Sequence, residues 1–301
     1  MTQCTCHSAD PTRTLTLRNQ FSREMGKRMK RIQIAIRNKD LVTGNFIIGN
    51  SENYQWDFIP EKVDEFTAWV ESQIALELLQ STPYRTGSPS RVWWGSPFLE
   101  TGYLRGIKMS HILLRQRGYS WPEPVLPGVS GGFVPDPITV AFGTPPHQRK
   151  VSAIYSRAYS SMKGITDEMA TVISRILAQG MADGDGAKVI ARKLVASIDG
   201  VGAGTLGIKD TMGRVITPRR RAMMLARTEI IRAHHVSMIQ EYRVWGVEGV
   251  EVEAEWRTAG DGRVCPRCKP LQGRIFTLDE IEPMIPLHPQ CRCMALPIVK
   301  D

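Results

Sequence analysis

Four of the chain's six cysteines lie in its last thirty-seven residues, as Cys265-Pro-Arg-Cys268 and then His288-Pro-Gln-Cys291-Arg-Cys293. Two groups of soft ligands, each close in sequence and separated by one loop, form the pattern that a tetrahedral metal site requires. Five candidate ligands compete for four positions. The expected arrangement is a structural Zn²⁺ held by Cys265, Cys268, His288 and Cys291, with Cys293 as the leading substitute for His288. Buried reduced thiols filling a small core, with His288 hydrogen-bonded nearby, are the alternative. A disulfide framework fits poorly. Six cysteines in 301 residues are not dense, and no secretory signal precedes them.

A chain of 301 residues with 42% hydrophobic and 23% charged residues has room for two ordinary globular domains. No apolar run approaches membrane-spanning length, so no membrane partner is expected, and the thiols point to a reducing compartment. The net charge of +9 is unevenly placed. Residues 1–39 carry nine Lys or Arg against Asp10 and Glu24, which accounts for most of it. In the same stretch Leu17, Phe21, Met25, Met29, Ile32 and Ile36 recur every three or four residues, predicting an amphipathic helix with a basic outer face. Lys27, Arg28, Lys30 and Arg31 on that face are candidate contacts for DNA phosphates. An acidic protein surface is a second possible partner, and a plain solvated helix face is the third reading. Cys4, Cys6 and His7 precede the helix and read as tail residues rather than as a metal site.

The periodicity predicts further helices over 60–79, ended by Pro83, and over 97–117. Trp93-Trp94 reads either as an anchor for the start of the second of these or as an aromatic docking surface. Residues 119–146 hold seven prolines and four glycines, the best boundary in the chain, with a short strand expected over 138–142. Helices are then expected from 148 to about 162, from a Thr166 cap to Leu177, and from 187 to 198. A glycine-bearing loop follows over 199–213. The longest helix should start at Thr217-Pro218 and stop at Gly246. Glu229 on it is placed to pair with Arg227 or Arg232, and its adjacent His234 and His235 point about 100° apart, too divergent for one metal. Short strands are expected over 250–256 and 274–278. The fold class expected is mainly α (α+β): a flexible tail over 1–12, a helical N-terminal region over 13–118, a connector over 119–146, and a helical C-terminal domain over 147–301 ending in a small β-hairpin with a zinc-knuckle-like segment.

The run Ala226-Arg-Thr-Glu229-Ile-Ile-Arg-Ala-His234, then Ala254-Glu-Trp256, Asp261-Gly-Arg-Val-Cys-Pro-Arg-Cys268, Leu271-Gln-Gly273 and His288-Pro-Gln-Cys-Arg-Cys293 resemble, in order, the C-terminal domain of phage Mu F-like head morphogenesis proteins. The resemblance implies a minor capsid protein of a tailed bacteriophage, present in the host cytoplasm during assembly and then in the phage head interior. It implies portal and capsid or scaffold proteins as partners, phage DNA as a further one, and a structural rather than enzymatic role in head assembly and DNA packaging or delivery. Residues 13–118 are expected to dock on the portal or capsid, because their amphipathic helices and Trp93-Trp94 offer an apolar-aromatic interface beside charge. The residues themselves offer no Gly-x-Ser-x-Gly elbow, no His-Glu-x-x-His and no zinc-deaminase layout. A zinc-stapled HNH-like nuclease is the enzymatic rival. It needs a free base histidine and an open metal position, whereas His288 sits among the ligands themselves. A zinc-stapled adaptor outside any phage is the third candidate.

Overall fold

The computed structural model describes residues 10–38, 60–83, 91–119, 136–185, 187–199, 208–209, 215–247 and 251–299. Cys4, Cys6, His7, residues 40–59, most of the 119–146 stretch and most of the 199–213 loop lie outside the described residues. The fold is mainly α with a small antiparallel sheet near the C-terminus. Helices α1 (Leu15–Asn38), α2 (Pro60–Ile74), α3 (Ser96–Arg115), α4 (Pro137–Gly143), α5 (Pro145–Ala182), α6 (Ala187–Asp199), α7 (Pro218–Val247) and α8 (Leu278–Ile281) alternate with short strands β1 (Ser81–Pro83), β2 (Arg91–Trp93), β3 (Ile208–Lys209), β4 (Val215–Ile216), β5 (Val252–Arg257), β6 (Ile275–Phe276) and β7 (Met294–Val299). They pack as two compact units: Met1–Gln20 with Gly95–Arg157 and Arg227–Asp301, and Phe21–Trp94 with Ala158–Ala226. Each unit is assembled from segments far apart in sequence.

In the second unit, α1 buries Phe21, Met25, Met29, Ile32 and Ile36 on the stripe that its periodicity predicts. Phe66, Val70, Ile74 and Leu78 do the same for α2 and the single π-helical turn Ala75–Leu79 that ends it. Because the helix ends at Leu79, the Leu78 carbonyl has no partner within it and accepts the indole N–H groups of both Trp93 (2.7 Å) and Trp94 (3.0 Å). Both indoles are buried and meet Phe21 edge-on at 6.0 and 5.6 Å. Of the two readings of the tryptophan pair, burial favours the internal anchor over the aromatic docking surface. Of the four candidate phosphate contacts, Arg28 donates to the Glu77 carbonyl at 2.8 Å and lies 4.0 Å over the Trp94 ring. Arg31 donates to the Glu77 carboxylate at 2.8 Å. Lys27 and Lys30 are exposed.

Two local expectations fail for identifiable reasons. Residues 138–142 are helical, not a strand. Pro137 fits the first helical position, and the Asp136 carbonyl accepts from Thr139 and Val140 at 2.9 and 3.1 Å. Burial of Ala141 and Phe142 outweighs the weak strand propensity of Ile138-Thr-Val. The break expected at Gly164 is absent too, and α5 runs through it. Glycine costs a helix only about 1 kcal/mol, and Met162, Ile165 and Met169 are buried around it. Thr166 donates to the Lys163 carbonyl at 2.7 Å instead of capping a new helix.

In the first unit, α7 is enclosed on nearly every side, so its sequence shows no clear stripe. Ile230, Ile231, Ala233, Met238, Ile239 and Tyr242 are all buried, and so are His234, His235, Ser237 and Glu241. α3 reaches it through glycine: a side chain at Gly106 would collide with Ser237 and the His234 carbonyl. The fully buried Glu241 carboxylate holds His111 at 2.8 Å through one oxygen and His147 at 2.8 Å through the other, and the Tyr103 hydroxyl lies 2.9 Å from the second His147 nitrogen. Burial alone would raise the Glu241 pKa, but the His111 and His147 contacts outweigh it and hold the pKa below the ordinary value. That carboxylate stabilises the fold above its unfolded pKa, and the contribution is lost as pH falls through the depressed folded one.

His234 and His235 respond at higher pH. Burial first, then the adjacent imidazole and nearby guanidinium groups, lowers His234 to about 3. Burial lowers His235 to about 4, against the opposing pull of the Ile281 carbonyl at 3.1 Å. The unfolded chain takes up these protons near pH ~6.5 and the folded chain does not, so folding stability falls as pH drops from ~6.5 toward ~4. Each histidine contributes a slope of about 1.4 kcal/mol per pH unit in that window. We predict that the urea midpoint falls steadily from pH 7 to pH 5 and that His235→Gln removes about half of the His234/His235 contribution to that slope. An unchanged slope in the variant would refute the assignment.

Candidate metal centre

The three-stranded sheet, ordered β6-β5-β7, is the frame of the site. β5 alternates buried Val252, Ala254 and Trp256 with less buried Glu253 and Glu255, the period-two pattern of a strand with one face in a core. β7 pairs with it antiparallel from Val252↔Val299 to Arg257↔Met294. The sequence did not announce β7 because Pro297 interrupts it, a residue tolerated in a strand that is paired on one side only. Leaving β5, the chain makes a folded loop before β6. The Gln272 side chain closes it by accepting from the Thr258 N–H (2.8 Å) and hydroxyl (2.6 Å), and Gly273, at φ +77°, returns the backbone to Trp256 with an N–H···O bond of 2.9 Å. These contacts give the Leu271-Gln-Gly273 run its structural role.

Cys265 and Cys268 sit inside that loop. Pro266 occupies the second position of a turn in which the Cys268 N–H reaches both the Cys265 carbonyl (3.1 Å) and the Cys265 sulfur (3.3 Å). The turn presents both sulfurs to one side. His288, Cys291 and Cys293 come from the segment between α8 and β7. A capping box, Thr277 with Glu280, starts α8, and a turn from the His288 carbonyl to the Cys291 N–H (3.1 Å) brings the second group inward. Gln290 takes the left-handed φ of +61° at that turn. Its N–H donates to the Thr228 hydroxyl at 3.0 Å and its side-chain oxygen accepts from Arg227 at 3.0 Å. Arg227 and Thr228 of α7 thus dock the second group of ligands onto the helix, which is what their place in the motif accomplishes. Glu229, beside them, is buried and pairs with Arg232 at 3.3 Å and Arg157 at 3.8 Å.

All five sequence-predicted ligands come together. The ligand atoms of Cys265, Cys268 and His288 lie within 4.8 Å of one another, as do those of Cys268, Cys291 and Cys293. His288 Nε2 is 3.2 Å from the Cys265 sulfur and 3.3 Å from the Cys268 sulfur. Cys268 belongs to both groups and is the pivot of the cluster. Sulfurs bound to one tetrahedral Zn²⁺ at about 2.3 Å stand about 3.8 Å apart, so within each group of three a small contraction suffices. The donor set of thiolates and one imidazole suits a borderline-soft divalent cation and suits Mg²⁺ or Ca²⁺ poorly. His234 and His235 join neither group.

The protons of the cluster are unevenly shared. A hydrogen bond from Cys293 lowers the Cys291 thiol to about 5 despite its burial. Burial, with the neighbouring Cys291, pushes Cys268 up to about 12, and the Cys291 contact pushes Cys293 up as well. One thiolate is tolerated and its neighbours keep their protons, because like charges this close cannot all form without a cation between them.

Two features of the site have no counterpart in the expectations from sequence. Asp261 and Arg292 form a bidentate pair at 2.6 and 2.7 Å. The tether from Arg227 and Thr228 to Gln290 is the second. The sequence signals that could have exposed them are an acid four residues before the first cysteine and an arginine lodged between the last two.

Because Cys268 serves both groups, Cys268→Ser should cost the most. Metal bound to a structural site of this kind contributes on the order of 10 kcal/mol to a small fold. We predict that a chelator lowers the unfolding midpoint of the wild-type chain, that Cys268→Ser lowers it as far, and that the variant no longer responds to chelator. Equal midpoints for wild type and variant, both indifferent to chelator, would overturn the site.

No match is found among curated proteins or among solved structures. A family model described as "Phage Mu protein F like protein" matches residues 171–296, a span that contains α7, β5, β6, the first half of β7 and all five cysteine and histidine residues of the cluster. Over residues 171–296 the chain is similar to the phage Mu F-like family.

Proposed function

We propose that this chain is a minor capsid, head morphogenesis protein of a tailed bacteriophage, acting structurally at the portal or in the procapsid interior during head assembly and DNA packaging or delivery. The observation that carries the reading is the family match over residues 171–296, which takes in α7 and all five residues of the cysteine cluster. The cluster is a structural Zn²⁺ site, since its donor set is soft, part of its sulfur is buried in the hydrophobic core, and its arms are tied to the neighbouring helix and to each other. His288 lies against the Cys265 and Cys268 sulfurs, the place of a ligand rather than of the base in a nuclease-type reaction. Among the described residues no helix is long and apolar enough to cross a membrane. The N-terminal region over 13–118 is assigned to portal or capsid docking through its solvent-facing helix surfaces, with Trp93 and Trp94 excluded because they are buried.

The test of the reading is composition. The full-length chain should be found by mass spectrometry in purified phage heads, and should be cross-linked to portal protein when the two are produced together. Absence from heads, with no cross-link to portal or major capsid protein, would refute it.

DNA contact falls to the exposed Lys27 and Lys30, while Arg28 and Arg31 are occupied by Glu77. Phosphate contacts of this kind are independent of sequence and release counterions. Replacing Lys27 and Lys30 with Gln should flatten the plot of log affinity against log salt by up to about two units. Arg28→Gln should instead lower the stability of the second unit. An affinity for duplex DNA that is indifferent to Lys27→Gln/Lys30→Gln would remove DNA from the list of partners of this helix.

A further inference from the structure

The two arms that carry the ligands are joined by a contact that contains no ligand. Asp261 opens the first arm four residues before Cys265. Its carboxylate accepts the Arg263 N–H at 3.1 Å and the Arg263 side chain at 3.3 and 3.1 Å, which pins the turn from Asp261 to Val264. The same carboxylate takes both terminal nitrogens of Arg292, at 2.6 Å on one oxygen and 2.7 Å on the other. This fork-on-fork geometry fixes orientation as well as distance, which a lysine point charge does not do. Arg292 stands between Cys291 and Cys293, both buried in the core cluster, while its own side chain remains partly exposed. The backbone here sends two sulfurs inward and one guanidinium outward, onto the other arm.

The geometry points to the Asp261–Arg292 pair as a positioning clasp for the metal: it holds the arm of His288, Cys291 and Cys293 at a fixed distance from the arm of Cys265 and Cys268, so that the ion meets ligands already gathered. This inference rests on the metal reading proposed above. The clasp has two physical effects. It lowers the ordering cost that metal binding would otherwise carry. It also places a permanent cation beside a ligand set that becomes anionic when three or four thiolates close on a divalent ion, the task that outer-shell partners perform at metal sites. Neither Asp261 nor Arg292 touches the ion, so the ligand identity is unchanged when the pair is cut.

The experiment uses the full-length reduced chain loaded with Co²⁺ as a spectroscopic probe for the site. Asp261→Asn and Arg292→Gln should each weaken Co²⁺ binding about 10- to 100-fold and speed its removal by a colour-forming chelator, with the energies of the cobalt absorption bands unchanged. The double variant should be no worse than either single one, because both cut the same contact. Arg292→Lys, which keeps the charge and is the least disruptive to folding, should recover only part of the affinity. The exchange of Asp261→Arg with Arg292→Asp should bind more tightly than either of those two changes alone. If wild type binds cobalt in a tetrahedral thiolate site and all these variants match its affinity and release rate, the clasp is refuted and the metal reading stands. If wild type binds no cobalt, the metal reading falls and takes the clasp with it. Shifted band energies in Arg292→Lys would mean that Arg292 governs which ligands bind, and would also overturn the positioning role.

Discussion

Crowded sulfur is the constraint around which the C-terminal segment is arranged. Cys268, Cys291 and Cys293 are buried within reach of one another, and Cys268 is met as well by Cys265 of its own arm and by His288 of the other. Such a group has two ways to exist without strain. It can keep most of its protons, as burial and mutual repulsion dictate in the absence of a cation, or it can exchange them for one divalent ion. The local sheet is too small to hold the arms through its own pairing: β6 has two residues, and β5 and β7 have six each. What supplements it is a core in which Trp256, Tyr242, Ile281 and Ile285 pack with the cysteines themselves. A metal at that place would be a cross-link between two loops whose backbones share few hydrogen bonds.

α7 gives this small module its support. A helix enclosed on nearly all sides cannot rely on an apolar stripe, and its buried polar groups each need a defined partner. Glu241 holds His111 and His147, His235 faces the Ile281 carbonyl beside α8, the Tyr242 hydroxyl reaches the Ala295 carbonyl of β7 at 3.3 Å, and Arg227 and Thr228 hold Gln290. These contacts fix register between the helix and the loops in a way that apolar packing alone does not. They also explain why the motif on α7 and the motif around the cysteines occur together, although neither supplies ligands to the other.

Much of this was legible in the residues. The stripe Leu17 to Ile36, the Thr217-Pro218 start of α7, the strand at Trp256 and the five-ligand cluster follow from periodicity, capping chemistry and spacing. What was not legible depends on tertiary context. β7 is interrupted by Pro297, α4 is written in β-branched residues, and α5 passes over Gly164 because burial on either side outweighs one glycine. The π-helical turn at Ala75–Leu79, and the capture of its Leu78 carbonyl by two tryptophans, have no local signature at all. Arg28 and Arg31 looked like a basic face until Glu77 was found opposite them, because pairing between helices distant in sequence is invisible to charge counting.

In the proposed function the two cysteine arms close on a single metal ion with mainly sulfur ligands. X-ray absorption at the zinc edge of the purified, reduced full-length chain measures this directly. The account predicts one zinc per chain with three or four sulfur neighbours at about 2.3 Å and, where sulfur numbers three, one nitrogen at about 2.0–2.1 Å. A chain that carries well under one equivalent of metal, or zinc surrounded mainly by oxygen and nitrogen, would contradict it.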